Sequence, residues 1–232
     1  MTTEIESENA VRSEPGKIVA VFDLDGTLTR YDTYLRYLIG FLLRNPCRVF
    51  RTALLPFDVI AHKIGARDNT WLKKRFLSAI LSGLTDEDLH AWTHSFVDTL
   101  VARGLRPGAL ERLRQHQLAG DRTILLSASP DIFVREIADR LGFSECECTI
   151  AERDQAGRLT GNLAGGNCYG PEKQRRMERL LGNGRAGVHV VAYGDHRSDL
   201  PLLRWADEGI LVNPSQALGR VARQFQLKTV HW

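Results

Sequence analysis

Four short apolar runs, separated by stretches of helical period, constrain this chain's fold more than any other feature. KIVAVFDL (17–24), a run at 122–126, VHVVAYG ending at Gly194 and GILVN ending at Asn213 are rich in β-branched residues and lack strict alternation. Strands covered on both faces read this way. Between and after them come helical patterns at 109–118 and 130–141, a helix opening at Pro171, LPLLRWA, and a last helix following Pro214. Strands alternating with helices of this length predict an α/β fold, a Rossmann-like doubly wound parallel sheet.

One interval breaks the alternation. From about 32 to 103 the pattern is helical throughout, beginning with an apolar stripe of Tyr34, Leu35, Leu38, Phe41 and Leu42 at spacings of three and four. Asn45-Pro46 predicts an N-cap and first-turn proline for a second helix. A third is expected over 71–81, and Thr85-Asp86-Glu87-Asp88 opens a fourth as a capping box with acids in its first turn. The core is therefore expected at 17–30 and 105–232, with an inserted α-helical cap domain at 31–104. An alternating, Gly-bounded pair within 146–163 predicts a hairpin. The acidic first sixteen residues contain no apolar h-region, which predicts a disordered lead-in rather than a signal peptide.

Charges at the strand ends point to chemistry. VFDLDGTLTR closes the first strand with Asp23 and Asp25; LLSASP closes the second with Ser127; GDHRSD closes a later one with Asp195 and Asp199. Lys173 sits just inside the helix that begins at Pro171. In an open parallel sheet, ligands bind beyond the carboxyl ends of the strands, so these side chains share one rim. Crowded carboxylates repel unless a cation lies among them, and hard oxygen donors favour Mg²⁺, which usually also takes substrate phosphate oxygens. Ser127, the amides after it and Lys173 are the candidates for holding a phosphate, and Gly26 allows the tight turn that faces backbone amides toward it. Ser129, directly before Pro130, reads as a helix N-cap, and His196 lies beside Asp195.

DLDGTLT, LLSAS, a lysine after a Gly-Pro turn and GDHRSD, in that order, resemble the four motifs of the haloacid dehalogenase-like hydrolases. The long insertion after the first motif, with NCYGPEKQRR, places the resemblance nearest the phosphoserine-phosphatase-like branch. It implies a Mg²⁺-dependent phosphatase in which Asp23 attacks phosphorus to form an aspartyl-phosphate. Asp25 then protonates the leaving oxygen and later activates water. By the same resemblance Mg²⁺ is held by Asp23, the backbone carbonyl of Asp25 and Asp195, with Asp199 a ligand directly or through water, while Ser127 and Lys173 stabilise the transferring group.

The implied substrate is a small phosphorylated metabolite such as phosphoserine. The other readings are a phospholipid phosphatase resembling the phosphatidylglycerophosphatases and acting at a membrane surface, and a phosphomutase or phosphotransferase. Asp32, Arg48 and Arg51 are the cap's candidates for contact with substrate, the two arginines sharing a helix face. Nine Lys/Arg against three acids between Tyr31 and Ile80 make the cap basic, and ALLPFDVIAHKIG (53–65) is apolar enough to rest on an anionic membrane surface. The whole-chain charge of +3, with no nucleic-acid-binding fold behind it, speaks against a nucleic-acid partner. Cys47, Cys146, Cys148 and Cys168 are scattered, and no second close pair accompanies Cys146 and Cys148 to build a zinc site. With no uninterrupted apolar run of about 18 residues, the expected setting is a reducing cytoplasm.

Overall fold

The computed structural model describes residues 18–232; the expected lead-in at 1–16 lies outside the described residues. The sheet strands are β1 (Ile18–Phe22), β2 (Arg122–Pro130), β3 (Glu145–Thr149), β6 (His189–Gly194), β7 (Glu208–Val212) and β8 (Lys228–Val230). They form one parallel sheet in the order β3-β2-β1-β6-β7-β8. This is the doubly wound α/β architecture that the alternation predicts, extended by the edge strand β8, too short and polar to stand out in the sequence.

The strands bury both faces, with period 2. Ala20 and Phe22 of β1 point into one core, Val19 and Val21 into the other. The second core is closed by α7 (Pro171–Leu181), α8 (Leu200–Trp205) and α9 (Gln216–Gln224), through Met177, Leu202 and Ala222. The first is closed by α5 (Pro107–Leu118) and α6 (Asp131–Leu141), and it continues into the inserted helices α1 (Thr33–Arg44), α2 (Leu55–Lys63), α3 (Asn69–Leu81) and α4 (Asp86–Arg103). Tyr37 of α1 stacks on Phe133 of α6 at 4.7 Å between centroids, and its hydroxyl pairs with Thr93 of α4 at 2.8 Å. The insertion thus shares its apolar core with the sheet instead of building a separate one.

The chain leaves for the insertion and returns from it through neighbouring segments. Thr29 and Leu105 form an antiparallel bridge, the Arg30 N–H donates to the Gly104 carbonyl, and the Arg106 N–H donates to the Leu28 carbonyl. The Arg106 guanidinium then donates to the carbonyls of Gly26 and Thr29 at 3.1 and 3.2 Å.

Several local expectations are corrected. Asn45 does not cap a second α-helix; its amide donates to the Phe41 carbonyl, finishing α1, and 46–52 is a 3₁₀ segment. The buried stripe of α1 is Thr33, Tyr37, Leu38 and Phe41, which leaves Leu35 exposed. The hairpin is confined to β4 (Ala151–Arg153) and β5 (Leu159–Leu163), because Cys146 and Cys148 belong to β3 in the main sheet. The capping box at Thr85 and Asp88 is present with both of its hydrogen bonds.

Candidate active site

β1 lies between β2 and β6, where the strand order reverses direction, and a crevice at such a point is where open α/β sheets receive ligands. Register sets Phe22 beside both Leu125 and Tyr193, so Asp23 emerges between the ends of the two flanking strands. After Asp23 the chain makes a wide turn closed by the Thr29 N–H donating to the Leu24 carbonyl. Gly26 holds φ +83° in this turn, and a Cβ there would stand 2.0 Å from Asp195 Oδ2. Glycine is needed twice over, for its backbone conformation and for the approach of a carboxylate. Gly26→Ala is expected to cost about 1–3 kcal/mol of stability and to displace Asp195; thermal denaturation together with divalent-cation binding by calorimetry would measure both.

The carboxylates converge as the rim argument requires. One oxygen each from Asp23, Asp195 and Asp199 lies within 4.8 Å of the others. Lys173, buried in the first turn of α7, donates to Asp23 Oδ1 at 2.6 Å and to Asp199 Oδ1 at 2.7 Å. Burial alone would lower the pKa of this ammonium, but the two carboxylates hold it above its ordinary value. Asp23 is raised well above the carboxylate range, first by burial and then by its acidic neighbours Asp199, Asp195 and Asp25, against the pull of Lys173. Asp195 is raised to about 6 by burial and by Asp199, and its side chain accepts the Thr27 hydroxyl at 3.2 Å. Three clustered carboxylates and one ammonium leave an excess of negative charge on hard oxygen donors, the donor set that suits a divalent cation.

Asp25 is held apart from that cluster. Its Oδ1 accepts the Thr33 N–H at 2.6 Å and its Oδ2 accepts the Ser129 hydroxyl at 2.7 Å. Burial, with Asp32 nearby, raises its pKa. Two acids a residue apart therefore sit in different environments, the arrangement that separates the tasks of a carboxylate pair.

The other anticipated residues divide. Asp32 lines the cavity while capping α1 by accepting the Leu35 N–H at 2.7 Å. His196 and Ser198 line it as well. Ser127 is fully buried and its hydroxyl accepts the Ser129 N–H at 3.0 Å; Ala128 and Ser129 are the residues of this strand that reach the cavity wall. Ser129 does not cap α6: Pro130 occupies that position without a side-chain cap, and the Ser129 hydroxyl is spent on Asp25. The Gly26 N–H turns to Thr29 Oγ1, at 3.4 Å, within its own turn. Arg48 and Arg51 are not at the site; they donate to the carbonyls of Ser78, Ile80 and Ser82 around the C-terminus of α3, satisfying groups a helix end leaves unpaired.

Lys73 is the residue that sequence reasoning passed over. It reaches from α3 to the cavity wall, where its ammonium donates to the Ala128 carbonyl and, at 2.8 Å, to Asn167 Oδ1. Burial brings its pKa down to about 8. In the sequence it is one of nine basic residues, and only its spacing with the buried Leu77 and Ile80 marks an inward face. Together these groups wall a cavity of about 550 Å³, whose lining also includes Tyr31, Tyr34, Asn69, Phe76 and Tyr169.

Known proteins share this chain's sequence pattern and fold. The chain is 30% identical over 192 residues to the protein CicA of Caulobacter vibrioides, covering 82% of this chain and 84% of that one. It is 26% identical over 227 residues to a histidinol-phosphatase of Neisseria meningitidis, covering 90% and 96%. Among solved structures, a protein of unknown function from Bordetella pertussis Tohama I superposes with a TM-score of 0.79 at 25% identity, covering 93% and 98% of the two chains. A substrate-bound phosphoserine phosphatase shares the fold, with a TM-score of 0.62 at 18% identity and coverage of 90% and 91%. The sequence pattern of one hydrolase family matches residues 20–204, the span that carries every strand-end acid described above, and the chain belongs to the haloacid dehalogenase-like hydrolases.

Proposed function

We propose that this hydrolase is a phosphatase that cleaves a phosphomonoester through an aspartyl-phosphate on Asp23, with Mg²⁺ as its metal. The observation that carries the reading is the contrast between Asp23, inside a carboxylate cluster beside Lys173, and Asp25, held outside it by Ser129 and Thr33. Asp23, whose carboxylate form the Lys173 ammonium and the metal would favour, attacks phosphorus, while Asp25, held outside the cluster by Ser129 and Thr33, gives its proton to the leaving alcohol. Asp25, now a carboxylate, takes a proton from water, which attacks the aspartyl-phosphate and frees Asp23 and phosphate. Lys173 stays charged throughout and offsets the negative charge of the transferring group. Asp23, Asp195, Asp199 and the Asp25 carbonyl would hold Mg²⁺, which supplies further charge neutralisation at the phosphoryl oxygens.

The cavity lining narrows the leaving group. Its walls carry Asp32, three tyrosines and Phe76 but no arginine, and the Lys73 ammonium is already engaged by Ala128 and Asn167. An uncharged or cationic alcohol fits there better than one bearing a carboxylate, which favours a phosphorylated alcohol or amino alcohol over phosphoserine. The relationship to a histidinol-phosphatase supports a small phosphomonoester in general.

A screen of phosphorylated compounds with added Mg²⁺, read as phosphate release, tests this. Free phosphate is expected without any acceptor, and a chelator is expected to stop it. Phosphate release only in the presence of a sugar-phosphate acceptor would identify a transferase instead.

A further inference from the structure

The inserted helices leave an unusual amount of apolar surface in water. Among the described residues, eleven large hydrophobic side chains are exposed, and nine of them fall between Leu35 and Ile64. They follow helical spacing. Leu35, Ile39 and Leu43 form an outward stripe on α1, while Phe57, Ile60 and Ile64 form one on α2 and its end. Phe50, in the 3₁₀ segment between them, is 75% exposed, and Phe57 is 68% exposed. Helix α2 is thus apolar on its inner side, through Leu55, and on its outer side as well, a pattern that water does not favour.

The charge around this face is mainly positive. Residues 35–67 contain six Lys/Arg (Arg36, Arg44, Arg48, Arg51, Lys63 and Arg67) and a single acid, Asp58. Asp58 is itself neutralised by Arg75 at 2.8 Å. Apolar side chains on a mainly cationic segment match the interface of an anionic bilayer, where rings and alkyl groups enter the acyl boundary and cations meet the headgroups. No helix among the described residues is long and apolar enough to cross a membrane, so such contact is peripheral.

The face also adjoins the active-site cavity. A groove of about 280 Å³ between α1, α2 and α3 is lined by Ile39, Leu42, Leu55 and Ile80, among others, and shares Leu35, Val59 and Phe76 with the cavity that contains Asp23. The groove and the cavity therefore adjoin along these apolar side chains.

We infer that residues 35–64 seat the protein on an anionic phospholipid surface and that it draws a phosphomonoester from that surface, headgroup into the cavity and chain along the groove. The substrate half of this inference rests on the phosphatase reading; the docking half does not.

The test uses the full chain and vesicles of phosphatidylcholine alone or mixed with phosphatidylglycerol. Co-sedimentation is expected with the anionic vesicles, weakening as salt rises. The double variant Phe50→Ser, Phe57→Ser is expected to bind at least about tenfold more weakly, because two large apolar side chains no longer leave water. Its hydrolysis of soluble p-nitrophenyl phosphate should equal that of the wild type, which also establishes that it is folded. Phosphate release from phosphatidic acid in the same vesicles should fall in parallel with binding. Absence of binding, or equal binding by the variant, overturns the docking inference. A concentration-dependent dimer in light scattering, abolished by the same two substitutions, overturns it in favour of a second copy of this chain. Binding and p-nitrophenyl phosphate turnover without release from phosphatidic acid removes the substrate half. Vesicle binding with no turnover of either compound leaves the docking intact and removes the phosphatase reading.

Discussion

Asp23→Asn is expected to reduce phosphate release by at least about a thousandfold while leaving the protein folded. The amide cannot attack phosphorus, so the loss should fall on kcat and should not be recovered by raising substrate concentration. The structural cost is expected to be small, within about 1 kcal/mol by denaturant titration. Asp23 is a buried acid raised by its own desolvation and by three acidic neighbours, and removing its charge relieves that repulsion while Lys173 keeps Asp199 as a partner. Full activity in this variant would take Asp23 out of the mechanism and leave the cluster as a metal site alone.

Lys173→Met should affect both stability and chemistry. The ammonium bridges two buried carboxylates, and its loss leaves Asp23, Asp195 and Asp199 crowded with no internal cation. Removing one partner from a buried ionic cluster strands the others, and a destabilisation of about 3–5 kcal/mol is expected in metal-free buffer. Because a divalent cation binds the folded state, excess Mg²⁺ should restore much of that stability by mass action without restoring phosphate release. Unfolding curves with and without Mg²⁺ measure the first effect and phosphate assays the second. A variant as stable as the wild type in metal-free buffer would show that the cluster does not depend on this lysine.

The parts legible in the sequence are those that follow from topology. A parallel sheet delivers every strand's carboxyl end to one rim, so Asp23, Asp195, Asp199 and Lys173 could be gathered before any coordinate was known. The parts that stayed hidden depend on where a side chain turns after it leaves the rim. Ser129 and Ser127 are two residues apart at one strand end; only packing decides that Ser127 is sealed while Ser129 reaches Asp25. Thr33 acts through its backbone N–H, which carries no residue signature. Lys73 is indistinguishable by type from the half-buried Lys74 beside it, and Arg48 and Arg51 look equally suited to an anion until the bare carbonyls of α3 are seen to claim them. Leu35 shows the same limit in reverse: its spacing fits the apolar stripe, but helix rotation turns it toward water and the cavity mouth.

The backbone bridge at Thr29 and Leu105 has a consequence for how the insertion is held. Both polypeptide crossings are stitched side by side there, and Gly83 and Leu84 also exchange backbone hydrogen bonds with Leu159, so α1–α4 are clamped to the rest of the chain at two places. Arg106 ties the first clamp to the carbonyl of Gly26, the residue wedged against Asp195. One side chain thus anchors both the stem of the insertion and the loop bearing Asp25.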